Sequence, residues 1–549
     1  MLALRTTQTL DSLFEAFDRP DVPGVVVGVS YRGSVAYRRG FGMASLEHGV
    51  ANTPATRMRI GSTTKHFCCL GILLLEEEGK LDIGRSVNAY LPDLEPPCGE
   101  PTLLQLMHHT GGLHDTLLAT FLIDGGFHTQ IPPGGTMQLL RRMRSRSFAP
   151  GTRMAYSNVG YTLLTQVIEK VSGLSWNDFM TQRVFAPLGM RDTMLAPHDL
   201  NIVPGLATPH VPQADGSWQR GVHPEELLGS GGMISTVDDL LLWSAHLRSP
   251  TKQVGSQASW ARMLEPQTFA GAVTNGYGLG LMIERIRGVP VVHHAGATIG
   301  TQSQMLCAPE HALDVVVLAN RMDASAPTLA RKILEAVLEH DGLGPEVLAP
   351  AAAEHRALHG RWFSRGSRTL MSVEAAKGPP HSEELLNAST YNGAAGPLLR
   401  SGSGLARPEG PGSPVEIRRL PQGDESVDTL EVHICGEPER FERLPGCPPT
   451  SEQLAASWCG RYRYAEFGKE VEIAITDGKL VLDLLPASGR AQWELEPLAD
   501  DVVGCGTMHS VPAFAVPLRG VLTLDRSDAK VRGFWLDTDR MRNVRFDRC

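Results

Sequence analysis

The sequence predicts a multidomain α+β protein, in which a large α/β unit precedes two small β-rich domains. The length of 549 residues suggests about three or four domains. Helix-type and strand-type hydrophobic patterns both occur through residues 1–345. Beyond a Pro/Gly/Ala-rich joint, DGLGPEVLAPAAAEH, the chain has short strand patterns, many turns and few helix signals.

The composition is that of an ordinary globular protein, with 42% hydrophobic and 20% charged residues. The net charge is −9 and no long run carries a single sign, which argues against nucleic acid or an anionic membrane as the main partner. No run of 18 apolar residues predicts a membrane-spanning helix. The N-terminal stretch MLALRTTQTLDSLFEAFDRP lacks the apolar core of a secretory signal, so we expect a cytoplasmic protein.

The nine cysteines fit that compartment, because they are odd in number and scattered, and Cys68 and Cys69 are adjacent. The chain contains no CxxC and no HExxH, so we expect no metal site. The sequence implies no organic cofactor either.

Local patterns predict the helices of the large unit. The apolar run Phe67–Leu75 is too long for a typical strand and predicts a buried helix. GYTLLTQVIEKVSG has helical periodicity and ends at Gly173, a C-cap residue type. STVDDLLLWSAHL predicts a further helix with Ser235 as its N-cap. APTLARKILEAVLEH closes the unit as a helix.

The strands of the large unit lie at its two ends. GVVVGVSYRGSVAYRRGFG alternates and turns at Arg32-Gly33, which predicts a hairpin. GVPVVHHAGA, SQMLCAP and LDVVVLANR are β-rich, and we expect them to be neighbouring strands.

The C-terminal part repeats two short segments. HGRWF at 359–363 resembles CGRYRY at 459–464, and ERFERL at 439–444 resembles VRFDRC at 544–549. Their recurrence predicts two similar β domains, 355–447 and 453–549, separated by LPGCPPT. The alternative is that matches this short arise by chance. Within the first copy, the Gly/Pro/Ser-rich stretch NGAAGPLLRSGSGLARPEGPGSP predicts a loose insertion.

Ser62 and Lys65 are candidates for a nucleophile and its base. They lie three residues apart at the start of the predicted apolar helix, so both side chains share one face. The helix N-terminus favours an oxyanion nearby, and desolvation beside the apolar run lowers the pKa of Lys65, whose neutral amine can then accept the Ser62 proton. The alternative is that Ser62 caps the helix and Lys65 is solvated.

The Ser-x-x-Lys spacing alone is not specific, because it occurs three times. Ser249, three residues before Lys252, precedes Pro250 and so predicts a helix start. Ser527 and Lys530 lie in DRSDAK, a polar turn between two β runs.

A second motif is Tyr156-Ser157-Asn158, the only Tyr-x-Asn in the chain. It lies in a loop before a predicted helix, where side chains can point into a cleft. A serine enzyme with a lysine base needs another polar group for the leaving group or the deacylating water. The alternative is a half-buried turn tyrosine.

A third motif, His294-Ala295-Gly296, follows one β run and leads to another, as a strand lining a cleft does. Two other His-x-Gly triplets, His109-Thr110-Gly111 and His340-Asp341-Gly342, show that this spacing is also unspecific. A structural histidine is the alternative for each.

Ser-x-x-Lys, Tyr-x-Asn and His-x-Gly in this order resemble the motifs of the serine β-lactamase and penicillin-binding-protein superfamily. The match covers most of residues 20–335, with segments such as MRIGSTTKHF, LLQLMHHTGGL, YSNVGYTLL and YGLGLMI. The His-x-Gly motif and the trailing β domains further resemble the bacterial D-stereospecific aminopeptidases. This resemblance implies a β-lactamase-like αβα catalytic domain followed by two eight-stranded antiparallel β-barrel domains, in a homodimer.

The resemblance also implies the roles of individual residues. Ser62 would be the nucleophile, Lys65 its proton acceptor and donor, and Tyr156 an aid to proton transfer. His294 would replace the usual lysine of the third motif. The remaining implied contacts to the substrate are made by Asn158, Gly296, Ala297, His509 and Ser510, with the backbone N–H groups of Ser62 and Ala297 as oxyanion hole.

In that family a loop of the last barrel enters the active site and offers an acid to the substrate ammonium. The corresponding segment here, GTMHSVPAFAV at 506–516, includes His509 and Ser510 but no acid. Asp500 and Asp501 are the nearest acids. The residue that would bind the substrate amine is therefore open.

The implied activity is release of N-terminal D-amino acids such as D-Ala from small peptides, amides and esters. One alternative is a cytoplasmic esterase, a β-lactamase or a D,D-peptidase on the same scaffold. The other is a catalytically silent binding relative, which the presence of all four catalytic residue types argues against.

Overall fold

The computed structural model describes residues 2–124, 131–269, 276–344, 357–375, 386–391, 396–401, 404–407, 415–419, 428–434, 438–485, 491–505, 519–527 and 530–549. Across these ranges no helix combines the length and the apolar character needed to cross a membrane.

A six-stranded antiparallel sheet forms the centre of the large unit. Its strands, in spatial order, are Met282–Ile286, Val289–Thr298, Thr301–Ala308, Leu313–Ala319, Val25–Tyr31 and Ser34–Phe41. The predicted hairpin at Arg32-Gly33 is confirmed, as is the adjacency of the three late strands. The N-terminal hairpin completes the sheet because Val25–Tyr31 pairs with Leu313–Ala319 along its whole length.

Helices cover both faces of this sheet, which gives the three-layer αβα arrangement. The strand Leu313–Ala319 is buried at every residue. Because side chains alternate along a strand, its odd-numbered residues pack in one layer and Val316 and Leu318 in the other. Helices Leu4–Phe14 and Ala326–Leu338 form the first layer. The second layer includes Val237–Arg248.

The second layer holds most of the helices that surround the site. The helices of the unit not yet named are Lys65–Glu77, Leu103–Met107, Thr116–Asp124, Gly135–Leu140, Asn158–Ser172, Trp176–Met180, Ala186–Leu188 and Gln257–Met263. Single helical turns are Glu15–Phe17, Gly61–Thr64, Val87–Ala89, Thr181–Phe185 and Pro309–His311. Short strands are Met43–Ser45, Val50–Ala51, Met58–Arg59, Met194–Leu195, His210–Pro212, Trp218–Arg220 and Met233–Ser235.

The predicted helices are confirmed, but two predicted start positions are wrong. Ser235 is the last residue of a strand, and the hydroxyl of Thr236 accepts the hydrogen bond of Asp239 N instead. No helix begins at Ser249, whose hydroxyl bonds the backbone of Thr251 in the turn that ends Val237–Arg248.

The first C-terminal domain is a nine-stranded antiparallel sheet. In chain order its strands are Gly360–Ser364, Thr369–Ala375, Leu386–Thr390, Gly396–Pro397, Leu399–Ser401, Gly404–Arg407, Val415–Arg419, Thr429–Ile434 and Glu439–Arg443. The first and last of them pair with each other.

The two ends of this sheet belong to one stretch of chain. Its outermost strands, Gly396–Pro397 and Leu399–Ser401, are separated only by the buried Leu398. One pairs with Leu386–Thr390 and the other with Gly404–Arg407. The covalent chain therefore links both ends, and a bend at Leu398 takes the place of one continuous strand. The implied eight-stranded barrel is thus a nine-stranded sheet.

The Gly/Pro/Ser-rich stretch in this domain is not simply a loose insertion. It contributes the strands Gly396–Pro397, Leu399–Ser401 and Gly404–Arg407. Strand ladders use backbone groups, so short segments can pair even where side chains offer few apolar contacts.

The second C-terminal domain is a closed eight-stranded barrel. Its strands are Gly460–Tyr464, Glu470–Thr476, Lys479–Asp483, Gln492–Ala499, Val502–Cys505, Gly520–Ser527, Lys530–Thr538 and Val544–Arg548, preceded by helix Ser451–Trp458. Ser527 is the last residue of one strand and Lys530 is the first residue of the next, which pairs with it, as predicted for a turn between two β runs. The boundaries 355–447 and 453–549 stay predictions.

The repeated sequence segments are the first and last strands of each domain. In the first domain, Arg443 donates to the carbonyl oxygens of Ala357 and His359. Its guanidinium carbon lies 4.1 Å from the centroid of the Trp362 ring. This arginine ties the last strand to the start of the first.

The second domain has the same arrangement. Arg548 donates to the carbonyl oxygens of Ser457 and Cys459, and its guanidinium lies over the Tyr462 ring. Because the same three kinds of contact recur at matching positions, the short sequence matches reflect a structural repeat.

Candidate active site

Ser62 lies on the single helical turn Gly61–Thr64, which continues directly into helix Lys65–Glu77. Gly61 has a φ of 49°, a left-handed conformation that favours glycine. A Cβ on Gly61 would lie 2.6 Å from the backbone nitrogen of Ala297. The glycine therefore lets the nucleophile turn and the third-motif strand come into contact.

Lys65 is fully buried and makes three polar contacts. Its Nζ lies 3.0 Å from Ser62 Oγ, 2.9 Å from Asn158 Oδ1 and 2.6 Å from the carbonyl oxygen of Ser230. The last two are amide and peptide oxygens, which only accept. A neutral amine has two N–H donors, so both are used there and its lone pair is left facing the Ser62 hydroxyl.

The surroundings of Lys65 favour this neutral form. Burial lowers the pKa of Lys65 well below its usual value, and the positive charge of Arg540 lowers it further. The acidic groups nearby, among them Asp115, oppose this less strongly. Lys65 can therefore act as the base for Ser62.

Tyr156 contacts the same pair. Its ring centroid is 4.8 Å from Lys65 Nζ, and its side chain forms a hydrogen bond with Ser62. Burial raises the pKa of Tyr156, although the bond to Ser62 and the charge of Arg540 lower it. The phenol therefore keeps its proton near neutral pH and is available as a donor.

His294 is buried, with only 1% of its surface exposed. Its Nδ1 is 2.6 Å from the Ala295 oxygen, so Nδ1 carries the proton and Nε2 accepts from the Tyr277 hydroxyl at 3.2 Å. Burial, followed by the charge of Lys65, lowers the pKa of His294 well below its usual value. A neutral imidazole is consistent with this bonding.

A second histidine continues this chain. His109 Nδ1 accepts from the backbone N–H of Ser157, so His109 Nε2 donates to the Tyr277 hydroxyl at 3.0 Å. The His109 ring also lies 4.2 Å from the Tyr156 ring, measured between centroids. The chain His109–Tyr277–His294 therefore runs beside Tyr156, and the sequence pattern predicts no role for His109.

Gly296 and Ala297 place the third motif against the nucleophile. A Cβ on Gly296 would lie 1.9 Å from the carbonyl oxygen of Ile60 and 2.5 Å from Ser303 Oγ, so only glycine fits there. Ala297 is exposed on the edge of the strand that faces Gly61. This arrangement brings the backbone of Ala297 next to the Gly61–Ser62 segment, as the predicted oxyanion hole requires.

The predicted specificity loop, with His509 and Ser510, lies outside the described residues. Of the two acids nearest to it in sequence, Asp501 has a partner in the first C-terminal domain. Asp501 pairs with Arg365 at 2.5 Å, and the backbone carbonyl oxygen of Asp500 accepts from Trp458 Nε1.

A different segment of the barrel reaches the site. Arg540, in the turn between Lys530–Thr538 and Val544–Arg548, has its guanidinium carbon 5.6 Å from the Tyr156 ring centroid. Its neighbour Asp539 is exposed. No sequence pattern singles out these two residues, whereas His109 and Tyr277 lie in the segments HHTGG and YGLGL of the family resemblance.

The fold and this constellation are those of a serine hydrolase. The Beta-lactamase family profile matches residues 10–338, more than half of the chain, and the chain belongs to this family.

Similar proteins cover more of the chain. The chain is 28% identical to the D-aminopeptidase of Cereibacter sphaeroides over 560 aligned residues. This alignment covers 99% of the present chain and all of the relative. The chain is 27% identical over 482 residues to the D-aminopeptidase of Gluconobacter oxydans, with 87% of each chain covered. Over 363 residues it is 30% identical to the D-aminopeptidase of Brucella canis, covering 65% of this chain and 66% of that one.

Two solved structures show the same fold. The octameric penicillin-binding protein homologue from Pyrococcus abyssi has a TM-score of 0.56 and 22% identity, covering 80% of this chain and all of that one. The D-amino acid amidase from Ochrobactrum anthropi SV3 has a TM-score of 0.51 and 22% identity, covering 62% of this chain and all of that one.

Proposed function

We propose that the protein releases N-terminal D-amino acids, such as D-Ala, from small peptides, amides and esters. The observation that carries this proposal is the position of the Lys65 amine, 3.0 Å from Ser62 Oγ and held there by contacts with Asn158 Oδ1 and the Ser230 carbonyl oxygen. D-aminopeptidases that align with nearly the whole chain support the substrate class.

The reaction has two steps. Ser62 Oγ attacks the scissile carbonyl as its proton passes to Lys65, and the N–H groups of Ser62 and Ala297 stabilise the oxyanion. The proton then reaches the leaving amine through Tyr156, the C–N bond breaks, and an ester to Ser62 remains. Water attacks this ester, returns a proton to Ser62 Oγ and releases the D-amino acid.

The other predicted residues have supporting roles. Asn158 orients Lys65 and offers its amide nitrogen to the substrate, while Gly296 allows the close approach of the strand. His294 acts as a neutral group that holds Tyr277 and the strand in place. His509 and Ser510 stay candidates for contact with the substrate amine.

Hydrolysis of D-Ala p-nitroanilide by wild type and Ser62→Ala tests the proposal. We expect the variant to lose about 10⁴-fold or more of kcat/KM, because the step through the acyl-enzyme is removed. Ser249→Ala is the matched control, since Ser249 belongs to a second Ser-x-x-Lys whose hydroxyl bonds only a local turn. Wild-type rates for Ser62→Ala would contradict the assignment.

A substrate panel separates the related hydrolases. D- and L-alanyl anilides, an ester, a β-lactam and an N-acetylated D-alanyl anilide are compared on the same preparation. We expect the free D-aminoacyl anilide to be cleaved fastest, and acetylation to abolish cleavage if the amine is recognised. Preference for the ester or the β-lactam would favour the corresponding alternative enzyme, and failure of a fluorophosphonate to label Ser62 would favour a silent binding protein.

We further propose a cytoplasmic homodimer. The resemblance to the D-aminopeptidases supports the dimer. The eight cysteines of the described ranges are all unpaired, which suits a reducing compartment. Light scattering of the full chain and cell fractionation test these two points, and a monomer or an exported protein would contradict them.

A further inference from the structure

The turn between the last two strands of the barrel is held firmly against the catalytic unit. The backbone N–H of Arg542 donates to Ser147 Oγ at 3.0 Å, and Asn543 Nδ2 donates to the Ser147 oxygen at 2.6 Å. His114 Nε2 lies 2.8 Å from the Arg542 oxygen. Within the turn, Thr538 Oγ1 accepts from the N–H of Met541 at 2.9 Å. Residues of this turn therefore have defined positions relative to the active site.

Arg540 extends from this turn to the reacting groups. Its guanidinium lies beside the Tyr156 ring, and its charge lowers the pKa of both Lys65 and Tyr156. It is half-buried, yet none of the described residues forms a hydrogen bond or an ion pair with its guanidinium. The adjacent Asp539 and the buried Asp115 of the catalytic unit act on it through their charges.

Other buried arginines of the protein have partners. Arg59 donates to the backbone oxygen of Ala196 at 2.7 Å, Arg321 pairs with Asp323 at 2.7 Å, and Arg542 donates to the Ser367 oxygen at 2.7 Å. Partial burial of a cation without hydrogen-bond partners among the described residues costs free energy, which the charges of Asp539 and Asp115 offset at Arg540. Arg540, by contrast, lies in the catalytic cleft, where an anionic ligand can supply a hydrogen-bonding partner that the described residues do not provide.

The position of Arg540 relates it to the leaving group. Tyr156 bonds Ser62 and, in the proposed reaction, delivers the proton to the leaving nitrogen. If the substrate is a dipeptide, that nitrogen belongs to an amino acid whose α-carboxylate is only two bonds away. A cation beside Tyr156 is therefore near the place that this carboxylate occupies, and a guanidinium can bind it through two parallel hydrogen bonds.

We propose that Arg540 binds the α-carboxylate of the leaving amino acid, so that the preferred substrates are D-aminoacyl dipeptides with a free C-terminus. This rests on the proposed function and narrows its substrate class from peptides, amides and esters in general. It also gives the C-terminal barrel a direct contact with the substrate that does not depend on residues 506–516.

The test compares D-alanylglycine with D-alanylglycinamide, which differ only in the terminal charge. For the wild type we expect kcat/KM to favour the free acid by about 10- to 100-fold, as charge-assisted hydrogen bonds do. In Arg540→Met this ratio falls to about one, and in Arg540→Lys it is intermediate because the charge is kept without the planar fork. Arg532→Met, at an exposed arginine of the strand leading to the turn, is the control and keeps the wild-type ratio.

Two results would overturn the inference: equal wild-type rates on the acid and the amide, or an unchanged ratio in Arg540→Met. The wild-type comparison holds even if Arg540→Met fails to fold. If both substrates are cleaved equally, the proposed function stands and only the role of Arg540 is rejected. If neither these nor D-Ala p-nitroanilide is cleaved, the proposed function fails and the role of Arg540 fails with it.

Discussion

At the scale of single residues, the site depends on buried polar groups whose donors and acceptors match. Lys65 contacts two oxygen acceptors besides the Ser62 hydroxyl, and the chain from His109 through Tyr277 to His294 has one consistent set of proton positions. Because buried groups without partners cost free energy, this matching selects one protonation state for each residue. The same matching also stabilises the fold.

Tyr277→Phe tests this chain. Removing the hydroxyl leaves Nε2 of both His109 and His294 without the bonds at 3.0 and 3.2 Å. We expect the free energy of unfolding to fall by about 1–3 kcal/mol, and kcat to fall by about ten-fold as Tyr156 and the third-motif strand lose their support. Chemical denaturation and steady-state kinetics measure the two effects.

Tyr31→Phe is the matched control for that variant. It removes a tyrosine hydroxyl that bonds Asp341 at the surface. Its stability should change by less than about 1 kcal/mol, with unchanged kinetics. A Tyr277→Phe protein as stable and as active as this control would show that the chain has no energetic role.

At the scale of elements, the site is formed where a helix start meets the edge of a strand. The turn Gly61–Thr64 contacts the strand Val289–Thr298 beyond the point where that strand pairs with Met282–Ile286. The free edge of the strand is thus available to the substrate and to the nucleophile turn. The small residues at this meeting point set how closely the two elements approach.

Gly296→Ala tests this close approach. The added Cβ would lie 1.9 Å from the Ile60 oxygen, so the strand must move away from the nucleophile turn. A displacement of about 1 Å should reduce kcat/KM by about 10²-fold or more. Kinetics on D-Ala p-nitroanilide measure the loss.

Gly288→Ala, at the other end of the same strand, separates this effect from general destabilisation. Gly288 has a φ of 85° but nothing within 4 Å of an added Cβ. The Gly288→Ala substitution should lower the free energy of unfolding by about 1–2 kcal/mol and leave kcat/KM unchanged. Equal kinetic losses in both variants would argue that the site responds to stability rather than to local position.

At the scale of the whole molecule, the second barrel is part of the active-site structure. Arg540 comes from its last hairpin, and Glu466 fastens it to the catalytic unit by accepting from the N–H and hydroxyl of Ser145 at 2.9 and 3.0 Å. Burial alone would raise the pKa of Glu466, but the hydrogen bonds from His114, Arg144 and Ser145 outweigh it and lower the pKa to about 2.

Glu466→Gln tests the fastening and its pH dependence. The folded chain favours the ionised form of Glu466. The stabilisation of the fold by this carboxylate is therefore complete above the ordinary pKa of 4.5 and is lost as the pH falls towards 2. The free energy of unfolding of the wild type should exceed that of the variant by about 2–3 kcal/mol near pH 6. This difference should shrink as the pH falls below 4.5. Urea unfolding of the full chain between pH 3 and pH 7 measures it.

Glu470→Gln in the same barrel is the control, because its ion pair with Arg463 is exposed. The free energy of unfolding of this variant should stay within about 0.5 kcal/mol of the wild-type value between pH 3 and pH 7. A Glu466→Gln deficit that does not change with pH would show that packing, and not the charge, holds the barrel.

The sequence by itself determined the local features of this protein. Helical spacing puts Ser62 and Lys65 on one face, strand patterns predict the sheet, and the matching segments predict two similar domains. These signals are readable because each depends on residues a few positions apart. The two N-caps predicted at Ser235 and Ser249 are wrong, because Ser and Thr side chains hydrogen-bond the backbone in turns as readily as at helix starts.

The tertiary structure decided which distant residues meet. His109 and His340 both begin a His-x-Gly triplet, so the spacing does not distinguish them. His109 belongs to the site because Tyr277 bridges it to His294. Arg540 reaches Tyr156 only because the barrel docks through contacts such as Glu466 with Ser145. Such contacts depend on how whole domains pack, and no local periodicity of the chain encodes that packing.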